Sequence, residues 1–127
     1  MPILQKIEYS GLNAKQKENF NFAKVAARLA DYGFNCVRLS DDYMGADFLA
    51  VHIDGEVLKV QLKSRLTLEK KYLGKEIYIA FPYDGKWFMY PHDQAVDEFI
   101  GKGGRGNFFS TRDPSKVQLC WLSKYEL

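Results

Sequence analysis

Asp47, Gln61 and Lys63 are the residues of this chain whose types and order could do chemistry together. A carboxylate and an amide carbonyl are hard oxygen ligands suited to Mg²⁺, or to Mn²⁺ in its place, and the backbone carbonyl of Leu62 would add another. A bound divalent ion lowers the pKa of its water and neutralises charge developing on a phosphate, so the set suits phosphodiester hydrolysis. Lys63 would then orient the water or stabilise charge. The competing reading makes Gln61 and Lys63 the solvated face of an amphipathic strand, with Asp47 a turn residue after Gly45.

The elements that must position these residues can be read from the pattern. Asn13 followed by Gln16 forms a capping-box signature, and the stretch to Tyr32 is rich in helix formers. Phe22, Val25, Ala26 and Leu29 recur at helical spacing and predict a buried stripe, with Gly33 as a left-handed cap. Strands are predicted at 34–39, 46–53 and 57–65, the last two joined at Asp54-Gly55. A basic connector, 68–75, leads to a second predicted hairpin, 76–82 and 86–90, around Asp84-Gly85. A short helix is expected from Pro91 and Asp93 to Ile100, then a glycine-rich loop, 101–106, and a last strand at 117–122.

Register decides which side chains of the first hairpin share a face. A three-residue loop, Asp54 to Glu56, pairs Ile53 with Val57 and sets Asp47 opposite Lys63 and Leu49 opposite Gln61. Phe48 and Ala50 then face Leu62 and Val60. This gathers the apolar set on one side and leaves Asp47, Lys59, Gln61 and Lys63 on the other. A two-residue loop would instead set Asp47 beside Leu62, and a bulge near Asp47 offers another route to the same clustering.

Composition bounds the reading without deciding it. The chain's 127 residues, 46% hydrophobic and 27% charged, predict one globular domain spanning 1–127, large enough for a core without disulfides. Cys36 and Cys120 lie in apolar stretches and are expected to be reduced core residues. No apolar run suits a membrane span and the start lacks a signal-peptide layout, so a cytoplasmic location is expected. A net charge of +2 identifies no partner.

The order of long helix, strand, GADFLAV, hairpin and VLKVQLKSR, followed by EIYIAFPYDGKWFMYP, resembles the PD-(D/E)XK nuclease superfamily. It is most similar to the small branch of group I intron-associated endonucleases and Holliday junction resolvases, over roughly 13–99. The resemblance implies an α/β, restriction-endonuclease-like core: a central mixed β-sheet flanked by helices, in the order αβββ-ββ-αβ. It implies a Mg²⁺-dependent DNA endonuclease with catalytic Asp47, Gln61 and Lys63. Most relatives carry an acid where this chain has Gln61, a substitution that members similar to the intron endonucleases tolerate but that removes a charge from the metal site. Many also carry a glutamate on the first helix where alignment places Phe22, leaving Glu18, one turn earlier, as the substitute. The alternative implied by these departures is a catalytically inactive DNA-binding or assembly module.

Lys59, Arg65, Lys70 and Lys71, with Lys75, surround or follow the proposed site and suit contacts to DNA phosphates, the competing reading being a solvated basic loop. The stretch GKGGRGN lacks a phosphate-loop pattern and is expected to be a flexible loop. His52 and His92 have no ligand-spaced partners. A homo-oligomer, a dimer in the first instance, is expected because one site cuts one strand and a duplex presents two. The second hairpin, with Tyr78, Trp87 and Phe88, is the candidate interface.

Overall fold

The computed structural model describes residues 3–127. The first helix, α1 (Ala14–Ala30), starts where the capping box places it: Asn13 Oδ1 accepts the Gln16 N–H at 2.8 Å and Gln16 Oε1 accepts the Asn13 N–H at 3.0 Å. Its apolar stripe is the predicted one. Val25 and Leu29 are fully buried, Ala26 is half-buried, and Phe22 meets Phe48 edge-on with ring centroids 5.2 Å apart.

The stripe packs on a five-stranded mixed sheet in the order β1 (Phe34–Tyr43), β2 (Ala46–His52), β3 (Val57–Leu62), β5 (Ile77–Tyr83), β6 (Lys86–Pro91). Among the described strands of this sheet, only β3 and β5 run parallel. A parallel pair needs a crossover, and here residues 63–76 supply it. This connector forms the two-residue β4 (Leu66–Thr67), which pairs with β7 (Ser110–Thr111), and a 3₁₀ turn at Lys70–Tyr72. The connector, α2 (His92–Phe99) and α3 (Lys116–Leu122) cover the sheet face opposite α1, around Leu68, Ile79, Phe81, Tyr90, Val96 and Leu122. The other core lies under α1, around Val25, Leu29, Phe48 and Val60.

Two tight turns set the strand ends. Met44 and Gly45 have φ of 51° and 89°, and Asp84 and Gly85 have 51° and 73°, the signs a type I′ hairpin needs. The φ of Gly45 favours glycine, and a Cβ there would also lie 2.9 Å from Ile77 Cδ1 and push that side chain aside.

Several expectations need correction. The last element is not a strand but α3: Ser115 and Gln118 form a second capping box, which outweighs the strand-like composition of 117–122. The first hairpin is shifted. Its three-residue loop is 53–55, closed by the His52 N–H donating to Glu56 O at 2.7 Å, with Gly55 at φ 101°. Phe48 therefore pairs with Val60, Leu49 with Lys59, Ala50 with Leu58 and Val51 with Val57. The slip of two residues keeps every side chain on its expected face but sets Asp47 towards Gln61 rather than opposite Lys63. Strand β1 extends to Tyr43, and β3 stops at Leu62 instead of reaching Arg65. Cys36 is half-buried, but Cys120 is exposed on α3 rather than in the core. Trp87 and Phe88 are buried in the chain's own core, 6% and 4% exposed, so they do not offer the expected interface. No described helix is long and apolar enough to cross a membrane.

Candidate active site

The parallel pair ends its strands at one edge of the sheet, and β2 begins there. Gln61 pairs with Ile79 and Leu62 with Ala80, after which the Lys63 N–H still donates to Ala80 O at 2.9 Å. The I′ turn at Met44-Gly45 returns the chain so that Asp47 arrives beside this edge. Asp47 Oδ2 accepts the Leu62 N–H at 2.8 Å, a contact between residues 15 positions apart. The carboxylate thus ties directly to the backbone between Gln61 and Lys63, and its Oδ1 appears in no hydrogen bond among the described residues.

Burial pushes the Asp47 carboxyl above its ordinary value; the Leu62 N–H and Lys63 pull it down, while Glu18 and Asp42 add to the rise. Gln61 is half-buried, and its amide approaches Leu62 O at 3.5 Å with Nε2 as the facing atom. Rotating that amide would present Oε1 instead, giving up the contact to Leu62 O and setting two acceptor oxygens together, an arrangement that a bound cation would satisfy. Lys63 is half-buried and extends to Glu69, with Nζ 3.0 Å from Oε1 and 5.3 Å from the Tyr72 ring centroid. Burial alone would push its ammonium down, but Tyr72 and Glu69 more than offset this and hold it above the usual lysine value.

The structure therefore brings Asp47, Gln61, Leu62 and Lys63 to one edge, with Glu18 near enough to act on Asp47 but engaged by another partner. Glu18 Oε1 is 2.8 Å from Arg38 Nη2, and the same guanidinium donates to Asn19 and stacks 5.1 Å over Phe22. The charge of Glu18 is felt at Asp47, but its carboxylate is occupied on the α1 side of the sheet. The basic set divides as well. Arg65 lines a groove that opens at this same sheet edge, Lys71 pairs with Glu69 at 3.4 Å, and Lys70 is exposed on the connector. Lys59 lies towards the far end of β3, beside Glu76 and Asp93, away from Asp47.

Three residues escaped the sequence reading. Glu69 sits inside a connector that reads as basic, and only its distance to Lys63 reveals it. Tyr90, fully buried, both accepts the Thr67 N–H at 3.1 Å and donates to Thr67 O, anchoring the crossover. His92, also fully buried, accepts the Glu69 N–H at 3.0 Å on Nε2 and places Nδ1 3.1 Å from Asp93 Oδ1. Burial holds its imidazole below the ordinary histidine value, although Asp93 and Glu69 pull the other way. His52 instead pairs with Asp54 at the hairpin loop.

A metal must find its ligands in this set. Among the described residues no three His, Cys, Asp or Glu side chains converge, so the oxygens on offer are the Asp47 carboxylate, the Gln61 amide and the Leu62 carbonyl. All are hard donors, and they fit a divalent cation of the Mg²⁺ type with a single anionic ligand.

No family model matches the chain, and no curated protein matches it. Among solved structures it is similar to a bacterial homing endonuclease, I-Ssp6803I, at 16% identity and a TM-score of 0.54, over 89% of this chain and 94% of that one. At that identity the likeness is one of fold, and the chain shares the α/β fold of that endonuclease, a mixed sheet flanked by helices.

Proposed function

We propose that the protein is a metal-dependent DNA endonuclease that hydrolyses phosphodiester bonds. The observation that carries this reading is the convergence of Asp47, Gln61 and Lys63 at the end of the parallel pair, pinned by the 2.8 Å bond from Leu62 N–H to Asp47. The fold shared with a homing endonuclease supports it. Asp47, Gln61 and the Leu62 carbonyl would hold Mg²⁺, or Mn²⁺ in its place. That ion would supply an acidified water and neutralise charge on the phosphate.

The chain's own residues do the rest. Lys63, held as an ammonium by Glu69 and Tyr72, cannot serve as a general base near neutral pH, so its role is to stabilise negative charge. Arg65, Lys70 and Lys71 contact phosphates and orient the strand. Lys59 is dropped from this set because of its position. Glu18 influences Asp47 through space without holding the metal. The PD-(D/E)XK branch is the framework that this reading adopts, and a dimer acting in the cytoplasm is the form in which a single-site enzyme would cut both strands of a duplex.

A second reading is favoured by one specific observation: Arg38 occupies Glu18 and a glutamine stands at position 61, which leaves one carboxylate for metal. On that reading the chain is an inactive DNA-binding or assembly module. Incubation with linear, supercoiled and branched DNA in Mg²⁺ or Mn²⁺ separates the two. Cleavage that is lost in Lys63→Ala supports the endonuclease; binding without cleavage in either ion supports the module.

A further inference from the structure

A groove of about 810 Å³ lies beside the proposed metal site and shares with the proposed chemistry only Arg65 of the phosphate-contacting set. It opens at the same sheet edge as Asp47. Its walls are Ser64 to Leu66, which directly follow Lys63, the end of β5 with the Asp84-Gly85 turn, Thr111 and Arg112 beside β7, and the start of α1 with the turn before it. Ligands of α/β sheets gather at the carboxyl ends of parallel strands, which is this edge.

The lining has two chemistries. Lys17, Arg65 and Arg112 carry positive charge into the groove against Asp84 alone, and none of the three cations makes a salt bridge among the described residues. Interleaved with them are Tyr9, Phe20 and Tyr83. Tyr9 and Phe20 remain 38% and 36% exposed, which is unusual for rings that are nonetheless held in place. Asn21 Nδ2 donates to the Tyr9 hydroxyl at 2.9 Å, the two rings lie 5.3 Å apart, and Lys17 Nζ sits 5.4 Å over the Tyr9 ring. Lys24 Nζ likewise lies 5.2 Å over the Phe20 ring, so the two rings are held in place with faces that a base would take by displacing lysine ammonium groups.

We infer that this groove binds the unpaired nucleotides of a DNA single strand, with bases against Tyr9, Phe20 and Tyr83 and phosphates against Lys17, Arg65 and Arg112. Cations alone would serve duplex DNA equally well. Aromatic faces serve only bases that have left the stack, and every base offers such a face. The volume falls within the roughly 300–1,000 Å³ of ordinary small-molecule sites, enough for a short stretch of strand and not for a duplex. The inference rests on the endonuclease reading for the identity of the polyanion, and it makes the substrate a DNA with a single-stranded region beside the cut.

The test measures binding in EDTA, so that cleavage plays no part, by fluorescence anisotropy on an oligothymidine of about 12 nucleotides and on a duplex of equal length. The wild-type chain binds the oligothymidine. Phe20→Ala weakens that binding by about 5- to 150-fold, the effect of one lost stacking partner, and leaves the duplex unchanged. Phe20→Trp restores it. Arg112→Gln flattens the salt dependence on single strand by about 0.7 in log–log slope, while Lys102→Gln, which removes an equal charge outside the groove, does not alter Phe20-dependent binding. Absence of oligothymidine binding overturns the inference, as does a Phe20→Ala variant that binds it as tightly as wild type or loses single strand and duplex equally. Cleavage of blunt duplex in Mg²⁺ without oligothymidine binding removes this inference and leaves the endonuclease. Phe20-dependent binding without cleavage does the reverse.

Discussion

Lys63 Nζ lies 3.0 Å from Glu69 Oε1, and the other oxygen of the same carboxylate is 3.4 Å from Lys71 Nζ. One acid therefore holds two cations of the proposed phosphate-contacting surface. Burial would raise the Glu69 carboxyl, but Lys63 and Lys71 outweigh it and keep it below its ordinary value, so it is ionised at neutral pH. Glu69→Gln should raise affinity for duplex DNA and steepen its log–log salt dependence by up to about 1.8, the contribution of two freed phosphate contacts. It should also slow cleavage, because Lys63 loses its anchor. A binding isotherm and salt slope identical to wild type would show that Glu69 does not compete with DNA for these lysines.

Asp47 has two duties that substitution can separate. Asn at this position retains an oxygen for the Leu62 N–H but not the negative charge, so Asp47→Asn should abolish metal-dependent cleavage and keep the fold. Asp47→Ala leaves the Leu62 N–H without its partner and should cost about 1–3 kcal/mol in addition. Urea unfolding of both variants checks this, and equal stability of the Asn and Ala forms would contradict the structural duty.

Gln61→Glu adds a second carboxylate beside Asp47. Calorimetric Mg²⁺ affinity should rise, as a further anionic ligand requires, whereas Lys63→Ala should lose cleavage with metal affinity retained. Unchanged metal affinity in Gln61→Glu together with full activity in Lys63→Ala would reduce both residues to the polar face of a strand.

Tyr90→Phe removes a single oxygen that satisfies both the N–H and the carbonyl of buried Thr67. Two backbone groups then lack partners, a loss of about 2–6 kcal/mol. Because Thr67 lies between Lys63 and Glu69, cleavage should fall even at temperatures where the variant is folded. Stability within experimental error of wild type would mean that water takes over both bonds.

The buried imidazole of His92 gives a pH dependence with a definite sign. Its native pKa is depressed by burial, so the unfolded chain binds more protons below the ordinary histidine value of about 6.5, and stability must rise with pH across that window. As pH falls from about 6.5 through the native pKa, the chain should lose stability at no more than about 1.4 kcal/mol per unit from this residue, as Nε2 ceases to accept the Glu69 N–H. His92→Gln should flatten that limb of the stability profile. An unchanged acid limb would assign it to other groups.

What the sequence made legible follows the range of the interactions involved. Asn13 with Gln16 announces α1 because the capping box is local, and the apolar periodicity from Phe22 to Leu29 names the buried face correctly. Ser115 with Gln118 carried the same local signal, but the apolar, strand-like run beside it masked the helix. Asp47, Gln61 and Lys63 could be grouped because a hairpin converts short spacing into proximity. Glu69, Tyr90 and His92 could not be found this way: their partners, Lys63, Thr67 and the Glu69 backbone, depend on how residues 63–76 return over the sheet. The pairing of Glu18 with Arg38 on β1, across 20 positions, was out of reach for the same reason.

The two-residue slip in the first hairpin has a consequence for folding. Strands have a side-chain period of two, so the observed pairing and its neighbour two steps away bury the same apolar residues and are nearly degenerate to the hydrophobic effect. Something polar must break the tie. Gly55 at φ 101° favours one loop, and the Asp47 bond to Leu62 N–H can form only when β2 and β3 meet in the observed alignment. Asp47 is thus a proofreader of strand pairing: a chain that folds into the neighbouring register sets Asp47 opposite Lys63 and forgoes the bond to Leu62 N–H that would have held it in place.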